Sequence, residues 1–337
     1  MIRKSAASED DGKKHSITYW AKEKVICPVC QRGFEQEVMH KGGGRMIAGN
    51  LTDELHRNFE PSKKFGRIYP LIYDIGCCPK CHTAFFWSDF PRIKDSATLG
   101  RLESDSERRM AAAETIFPYY NLRSERSLFD GAAMYYLALM CYEKADIAYA
   151  PTFKRAMISL RLAWLCKDLD IACPGHNYSY IAQVFYSKAL FFYQQTLINE
   201  TSRIESIESI SNFGPDMDKN YGYDGMIYLI GLLEYKYGQT EDLPLRYKKL
   251  DAAKRAIARG FGLGKSSKNK PGPLLEHARN LYDNLVKELK EQTLFSIDTE
   301  TTGINPMESD LIGISLAYCP QIQSDKGRVK IEIGRAS

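Results

Sequence analysis

Two short cysteine motifs constrain this chain more than any other feature of its sequence. They are CPVC at residues 27–30 and CPKC at residues 78–81. A proline after the first cysteine has φ fixed at about −65° and favours a tight turn whose backbone N–H groups point at sulfur. Two such turns supply the four thiolates of a tetrahedral structural zinc site. The predicted Zn²⁺ ligands are Cys27, Cys30, Cys78 and Cys81.

The long connection between the two motifs distinguishes this chain from a compact zinc finger. Residues 31–77 form a longer connection than the roughly 15 to 20 residues of a compact zinc finger, so a metal would join two separately built segments. The alternative to a metal site is that the cysteines are buried thiols or redox-active ones, because a single Cys-x-x-Cys motif can be a redox pair of the thioredoxin type. The thioredoxin motif, however, has no second copy. Cys77 and His82 flank the second pair, and either can replace a ligand at the cost of the matched spacing.

Composition is typical of a globular protein without a strongly basic surface. The 337 residues allow two or more domains with substantial cores, and 44% of them are apolar while 26% are charged. A net charge of +4 is too small to indicate a nucleic-acid surface by itself. No run of about 18 apolar residues occurs and the first 14 residues lack an apolar stretch, so we predict no membrane partner and a cytoplasmic location.

The N-terminal part has the pattern of a small zinc-binding α+β module. Residues 1–14 are polar and predicted to be disordered, and the module covers residues 15–95. Apolar and aromatic residues predict a short strand leading into each cysteine pair, within residues 16–26 and 67–77. Between them, Thr52–Arg57 has the acids of a helix start. Because His56 has no second histidine four residues later, a solvated helix face is favoured over a metal or catalytic cluster.

Residues 104–290 are rich in Ala, Leu and Tyr at helical spacing. The segment Tyr228–Gly238 matches a piece of the tetratricopeptide pattern, with Gly231 for close helix contact and a turn glycine seven residues later. Residues 252–258 are expected to form its partner helix. Because no strict period of about 34 residues is present, we predict divergent tetratricopeptide-like repeats, with an ordinary helical bundle as the alternative. The concave face of such an array is the expected surface for a protein or peptide partner.

Residues 291–337 change to a strand-like pattern. Residues i and i+2 of a strand share a face, which places the carboxylates of Asp298 and Glu300 on the same side. Two such acids can hold divalent ions, Mg²⁺ or Mn²⁺, for cleavage of a phosphodiester bond.

The same segment resembles a known motif, carried by DTETTGINP at residues 298–306 and LIGIS at residues 311–315. It is similar to the first motif of the 3′–5′ proofreading exonuclease domain of family A bacterial DNA polymerases. The resemblance implies a nucleic-acid substrate and metal ligation by Asp298 and Glu300. That family needs later acidic motifs and a tyrosine or histidine base, which are not recognisable before Ser337. We therefore expect a truncated or fused segment without exonuclease activity.

Residues 15–290 resemble an uncharacterised bacterial family, a domain of unknown function in which two Cys-Pro-x-Cys pairs precede tetratricopeptide-like helices. The residues that carry this resemblance are 27–30, 42–45, 51–57, 69–73 and 78–81. It implies a mainly α fold: a zinc-binding α+β module, a tetratricopeptide-like helical domain over 104–290, and a short β-hairpin tail. The function we expect is a cytoplasmic adaptor without catalytic activity. The alternative is a nucleic-acid enzyme of the 3′–5′ exonuclease type.

Overall fold

Short strands come first in the chain and long helices follow. The computed structural model describes residues 16–261 and 271–290, and the backbone of residues 295–301 and 311–318. Within these ranges the chain forms eight α-helices and four two-stranded hairpins, which confirms the mainly α fold class. Two compact units are present, Met1–Gly238 and Gln239–Ser337.

Three antiparallel hairpins make up the strand-rich part of the first unit. Their strands are β1 (Thr18–Ile26) with β2 (Gly33–Met39), β3 (Ile47–Leu51) with β4 (Arg57–Glu60), and β5 (Ile75–Cys77) with β6 (Ala84–Phe86). The turn of the first hairpin carries one cysteine pair and the turn of the third carries the other. A strand therefore leads into each pair, as the sequence predicts.

The second of these strands is shorter than its sequence pattern suggests. Pro70–Tyr73 form a single 3₁₀ turn, and only Ile75–Cys77 are extended. Proline lacks an N–H for a strand ladder, whereas its fixed φ suits the first position of a helical turn. The turn buries Leu71 and Ile72.

The helix start predicted over Thr52–Arg57 is wrong. These residues close the tight turn between β3 and β4, where the Thr52 N–H donates to the His56 carbonyl (2.8 Å) and Leu55 has a left-handed backbone with φ 59°. The Leu55 side chain is fully buried and Glu54 is 5% exposed, so this is not a solvated face either. Burial of the turn against helices outweighs the cost of a left-handed leucine.

Six helices complete the first unit. They are α1 (Ser96–Ser104), α2 (Ser106–Ile116), α3 (Leu128–Lys144), α4 (Pro151–Ala172), α5 (Tyr178–Thr201) and α6 (Gly222–Tyr237). A capping box between Ser127 and Asp130 starts α3, and Pro151 opens α4. Successive helices from α3 to α6 pack on one another.

Helix α3 also packs on the β5–β6 hairpin and on the 3₁₀ turn. Its Tyr135 hydroxyl donates to the Leu71 carbonyl at 2.9 Å, and its Cys141 sulfur accepts from the Ala84 N–H at 3.3 Å. The cysteine hairpins and the helices thus share one core. The sequence places a domain boundary between residues 95 and 104, whereas the compact unit continues to Gly238.

The second unit contains α7 (Leu243–Phe261), α8 (Gly272–Lys290) and an antiparallel pair, β7 (Phe295–Thr301) with β8 (Leu311–Tyr318). Helices α7 and α8 pack together. Residues 228–237 lie in α6, Gly238 follows its last residue, and the expected partner segment, 252–258, lies in α7. The two segments belong to different units, and the repeat remains a prediction. Asp298 and Glu300 lie in β7, while residues 303–306 of the exonuclease-like motif, like the predicted disordered residues 1–14, fall outside the described residues.

No helix in the described part of the chain is both long and apolar enough to cross a bilayer.

Candidate functional site

The first cysteine pair lies in the turn between β1 and β2. The Cys27 N–H donates to the Arg32 carbonyl and the Gln31 N–H to the Cys27 carbonyl, both at 3.0 Å. Gln31, directly after the second cysteine, has a left-handed backbone with φ 57°. These bonds fold the chain so that both cysteines of the pair face one point.

The second pair lies in the turn between β5 and β6 and repeats this geometry. The Cys78 N–H donates to the Thr83 carbonyl at 2.9 Å, and the His82 N–H to the Cys78 carbonyl at 3.0 Å. His82 has the equivalent left-handed backbone, with φ 54°. Two turns of the same construction therefore approach each other, one from each hairpin.

The four cysteines predicted as ligands come together between these turns. Their sulfurs all lie within 4.8 Å of one another, and two pairs of sulfurs are 3.5 Å apart, Cys27 with Cys81 and Cys30 with Cys78. A tetrahedron with metal–sulfur bonds of 2.3 Å has edges of about 3.8 Å. The spacing fits a tetrahedral metal ion, and the arrangement can hold one.

The charges of these thiols depend on one another. Hydrogen bonds to Cys78 and Cys81, together with burial, raise the pKa of Cys27 far above its ordinary value. The hydrogen bonds from Cys27 and Cys78 lower the pKa of Cys81 by stabilising its thiolate. Sulfurs this close cannot all ionise unless a cation offsets their charge, so binding of a metal would release protons.

A buried arginine supports the second turn from α2. The Arg109 side chain is fully buried and donates to the carbonyls of Cys81 (2.9 Å) and His82 (3.2 Å). The Thr83 hydroxyl lies 3.1 Å from the Cys81 sulfur. Arg109, which also pairs with Asp105 at 3.5 Å, fixes the backbone of the turn, a role that outer groups commonly have around metal ligands. No spacing rule in the sequence singles out this arginine.

Cys77 and His82, the alternative ligands, do not join the four-cysteine group. The His82 Nδ1 atom lies 2.6 Å from the Tyr120 hydroxyl, and burial lowers the pKa of His82. Cys77 is buried in β5, and that burial raises the pKa of its thiol well above the usual value. Cys77 belongs to the surrounding core, and His82 is half-buried beside it.

A second polar cluster joins the β3–β4 turn to the helices. The Glu54 carboxylate accepts hydrogen bonds from four side chains on three helices. They are Trp164 (2.6 Å) on α4, Tyr186 (2.8 Å) on α5, and Tyr237 (3.1 Å) and Lys236 (3.3 Å) on α6. The Tyr228 hydroxyl donates to the Asp53 carbonyl at 2.7 Å. This side of α4–α6 is covered by the chain's own hairpin.

His56 extends this cluster to residue 216. Its ring stacks on Trp164 with centroids 4.2 Å apart, and its Nδ1 atom lies 2.6 Å from the Asp216 carboxylate. The N–H groups of Arg57 (2.7 Å) and Met217 (2.6 Å) also donate to that carboxylate. Burial raises the pKa of Asp216, but these hydrogen bonds outweigh burial and hold it below its ordinary value. The histidine is a satisfied structural group rather than a lone surface residue.

Two of the larger cavities lined by described residues of the first unit are open to solvent. One, of about 260 Å³, is polar, and its buried charges already pair: Arg161 with Asp74 at 2.5 Å and Lys154 with Asp89 at 2.7 Å. The other, of about 380 Å³, is an apolar groove between α2, α3, α4 and α5, hereafter the α2–α5 groove. The residues that define it are Ile116, Tyr136, Met140, Val184, Phe185 and Phe192.

Comparison with known proteins supports the family resemblance. A family model described as "Uncharacterized protein conserved in bacteria (DUF2225)" matches residues 20–285. A curated relative from Borreliella burgdorferi, named "Uncharacterized protein", is 40% identical over 275 residues, which cover 81% of this chain and 98% of the relative. No solved structure matches the chain significantly. The family match includes both cysteine pairs and ends before β7.

Proposed function

This chain belongs to the bacterial family described as "Uncharacterized protein conserved in bacteria (DUF2225)", and we propose that it is a zinc-stabilised cytoplasmic protein that binds another protein through its helices, without catalytic activity. One observation carries the proposal. The four-cysteine group brings together the turns of β1–β2 and β5–β6, and α3, which packs on β5–β6, also lines the open α2–α5 groove.

The donor set supports zinc as the metal. Four thiolates at tetrahedral spacing are typical of zinc or of iron–sulfur centres, and a group with four protein ligands leaves no position for a substrate. Zinc would therefore act structurally, by holding the β1–β2 and β5–β6 turns together. A reducing cytoplasm would keep the thiols available to the metal.

The remaining surfaces favour binding over catalysis. The charged groups around Glu54 and Asp216 are engaged in hydrogen bonds within the chain. The α2–α5 groove instead presents the exposed Val184 and the half-buried Ile116 and Tyr136 over a buried apolar floor, where a segment of a partner can cover them.

The test is affinity capture from the native bacterium with the full chain and two matched variants. Val184 is 36% exposed in the groove, and Ile171 is 70% exposed on α4 and is not among the groove residues. We expect one protein to be captured by the wild type and by Ile171→Asp but not by Val184→Asp. A partner retained by Val184→Asp, or no reproducible partner, would contradict the proposal.

The exonuclease alternative rests on the motif in β7 and is tested separately. With Mg²⁺ or Mn²⁺ present, we expect the pure chain to leave labelled single-stranded DNA intact, because two carboxylates do not complete a two-metal site. Degradation that Asp298→Ala or Glu300→Ala abolishes would establish the alternative. Degradation that both variants retain would identify a contaminant.

A further inference from the structure

The α2–α5 groove has an apolar floor made by two helices. Met140 of α3 and Phe185 of α5 are 7% and 2% exposed, and Val184 lies at the rim. A volume of about 380 Å³ is within the range of sites that hold side chains of a ligand or peptide. Binding is favourable for a partner that buries apolar side chains against this floor.

Arg155 of α4 lines this groove, and Glu143 and Glu205 act on its charge only from beyond ion-pair distance. Its guanidinium stacks on Phe192 at 4.1 Å, and its Nε atom is buried with no hydrogen-bond acceptor. Among the described residues Arg155 forms no ion pair, and burial lowers its pKa. The Nε donor itself is closed to solvent, but the side chain as a whole is only half-buried and lines the groove, so a carboxylate of a ligand can pair with the guanidinium from the groove.

The other charged side chains of the groove also leave an excess of positive charge. Glu143 is the one acid among the lining residues, and it already pairs with Lys144 (3.0 Å) and lies 3.9 Å from Arg108. Lys188 is exposed one turn after Val184 on α5 and, within the described part of the chain, has no ion pair. The lining of the groove therefore carries more cations than acids, Arg108, Arg155 and Lys188 against Glu143, beside an apolar floor.

The same unit already packs one of its own segments, with an acid next to an apolar residue, against α4, α5 and α6. The β3–β4 turn places the acid Glu54 among Trp164 and Tyr186 while the adjacent Leu55 is fully buried. An acid next to an apolar side chain is thus a combination that these helices accommodate.

We propose that the α2–α5 groove binds an acidic, apolar peptide segment of a protein partner, with a carboxylate of the partner paired to Arg155 and its apolar side chains on Met140 and Phe185. The inference rests on the proposed function and specifies the chemistry of the partner.

A displayed library of short random peptides, selected on the zinc-loaded full chain, tests this proposal. We expect the selected peptides to carry Asp or Glu beside Leu, Ile or Phe. Their affinity should fall about tenfold or more in Arg155→Met, the loss expected for a charge-assisted hydrogen bond, and less in Lys188→Glu. Lys22→Glu, an exposed cation on β1, is the matched control and should bind as the wild type does.

The outcomes separate this inference from the proposed function. Peptides without acidic residues that still need Val184 would overturn the inference and leave protein binding in the groove intact. If no selected peptide depended on Val184, both would be overturned. Circular dichroism verifies that each variant is folded; if Arg155→Met is not, Lys188→Glu decides, because an exposed lysine can be replaced without loss of fold.

Discussion

Glu54 shows how much of this fold depends on a single carboxylate. It lies on a turn between two short strands, yet its oxygens accept hydrogen bonds from α4, α5 and α6. Removing one partner of a buried charged pair leaves the other groups without a partner. The resulting loss of stability is larger than the net contribution of the pair itself. The carboxylate is therefore expected to be a principal tie between the hairpin and the helices.

We predict that Glu54→Ala lowers the free energy of unfolding by about 3 to 5 kcal/mol, measured by urea denaturation. The neighbouring Asp53 is 46% exposed and pairs with Lys236 at 2.7 Å. Asp53→Asn is therefore the control and should cost less than about 1 kcal/mol. Equal effects of the two substitutions would show that the buried network is not a source of stability.

Asp216 gives a pH-dependent contribution whose sign follows from its lowered pKa. The folded state holds the pKa of this carboxyl below its usual value through bonds from His56, Arg57 and Met217, although burial opposes the shift. A carboxylate of this kind stabilises the fold fully above its unfolded pKa of about 3.9. Its contribution is lost as the pH falls through the lower folded value.

We predict that Asp216→Asn lowers the free energy of unfolding by about 1 to 3 kcal/mol at pH 7 and that the difference from the wild type shrinks below about pH 4. Urea denaturation of both proteins across this pH range measures it. Asp218→Asn, which removes a more exposed pair with Arg57, is the control and should have a smaller effect. A difference that stays constant down to about pH 2 would rule out the carboxylate as its cause.

At the scale of elements, the local sequence pattern predicts a different secondary structure from the one observed in two segments. Thr52–Arg57 has the residues of a helix start, and nothing local shows that Glu54 and Leu55 are buried by distant helices. Pro70 lies inside an apolar run that resembles a strand and turns it into a 3₁₀ turn. The cysteine turns are predictable because ligand type and spacing are local, whereas the support from Arg109 depends on packing that no local signal reports.

Gly131 makes the contact between α3 and the 3₁₀ turn possible. A Cβ added to it would lie 2.3 Å from the Cβ of Ile72, whereas one added to Gly100 in α1 would meet nothing within 4 Å. We predict that Gly131→Ala destabilises the protein by about 1 to 3 kcal/mol through overpacking. Gly100→Ala should stabilise it by about 0.5 to 1 kcal/mol, since alanine favours helix. Thermal unfolding measures both variants: a lower unfolding temperature for Gly131→Ala with a higher one for Gly100→Ala supports this packing. A shift of both unfolding temperatures in the same direction contradicts it.

At the scale of the whole molecule, the four-cysteine group and the α2–α5 groove belong to the same compact unit. The sequence predicts a zinc module over residues 15–95 and a helical domain over residues 104–290, because strand-like patterns give way to helical ones near residue 100. The structure joins them through α3, which contacts the β5–β6 hairpin on one side and lines the α2–α5 groove with Tyr136 and Met140. Loss of the metal should therefore weaken the groove as well as the hairpins.

The most direct test of this account is native mass spectrometry of the purified full chain, with metal analysis and thermal unfolding before and after chelation. We predict one zinc ion per chain, absent from Cys30→Ser and retained in Cys173→Ser, which alters a cysteine outside the four-sulfur group. Chelation should lower the unfolding temperature strongly, because zinc binding worth about 10 to 16 kcal/mol in small zinc domains is coupled to folding. A metal-free chain of unchanged stability, or full zinc content in Cys30→Ser, would contradict the central claim.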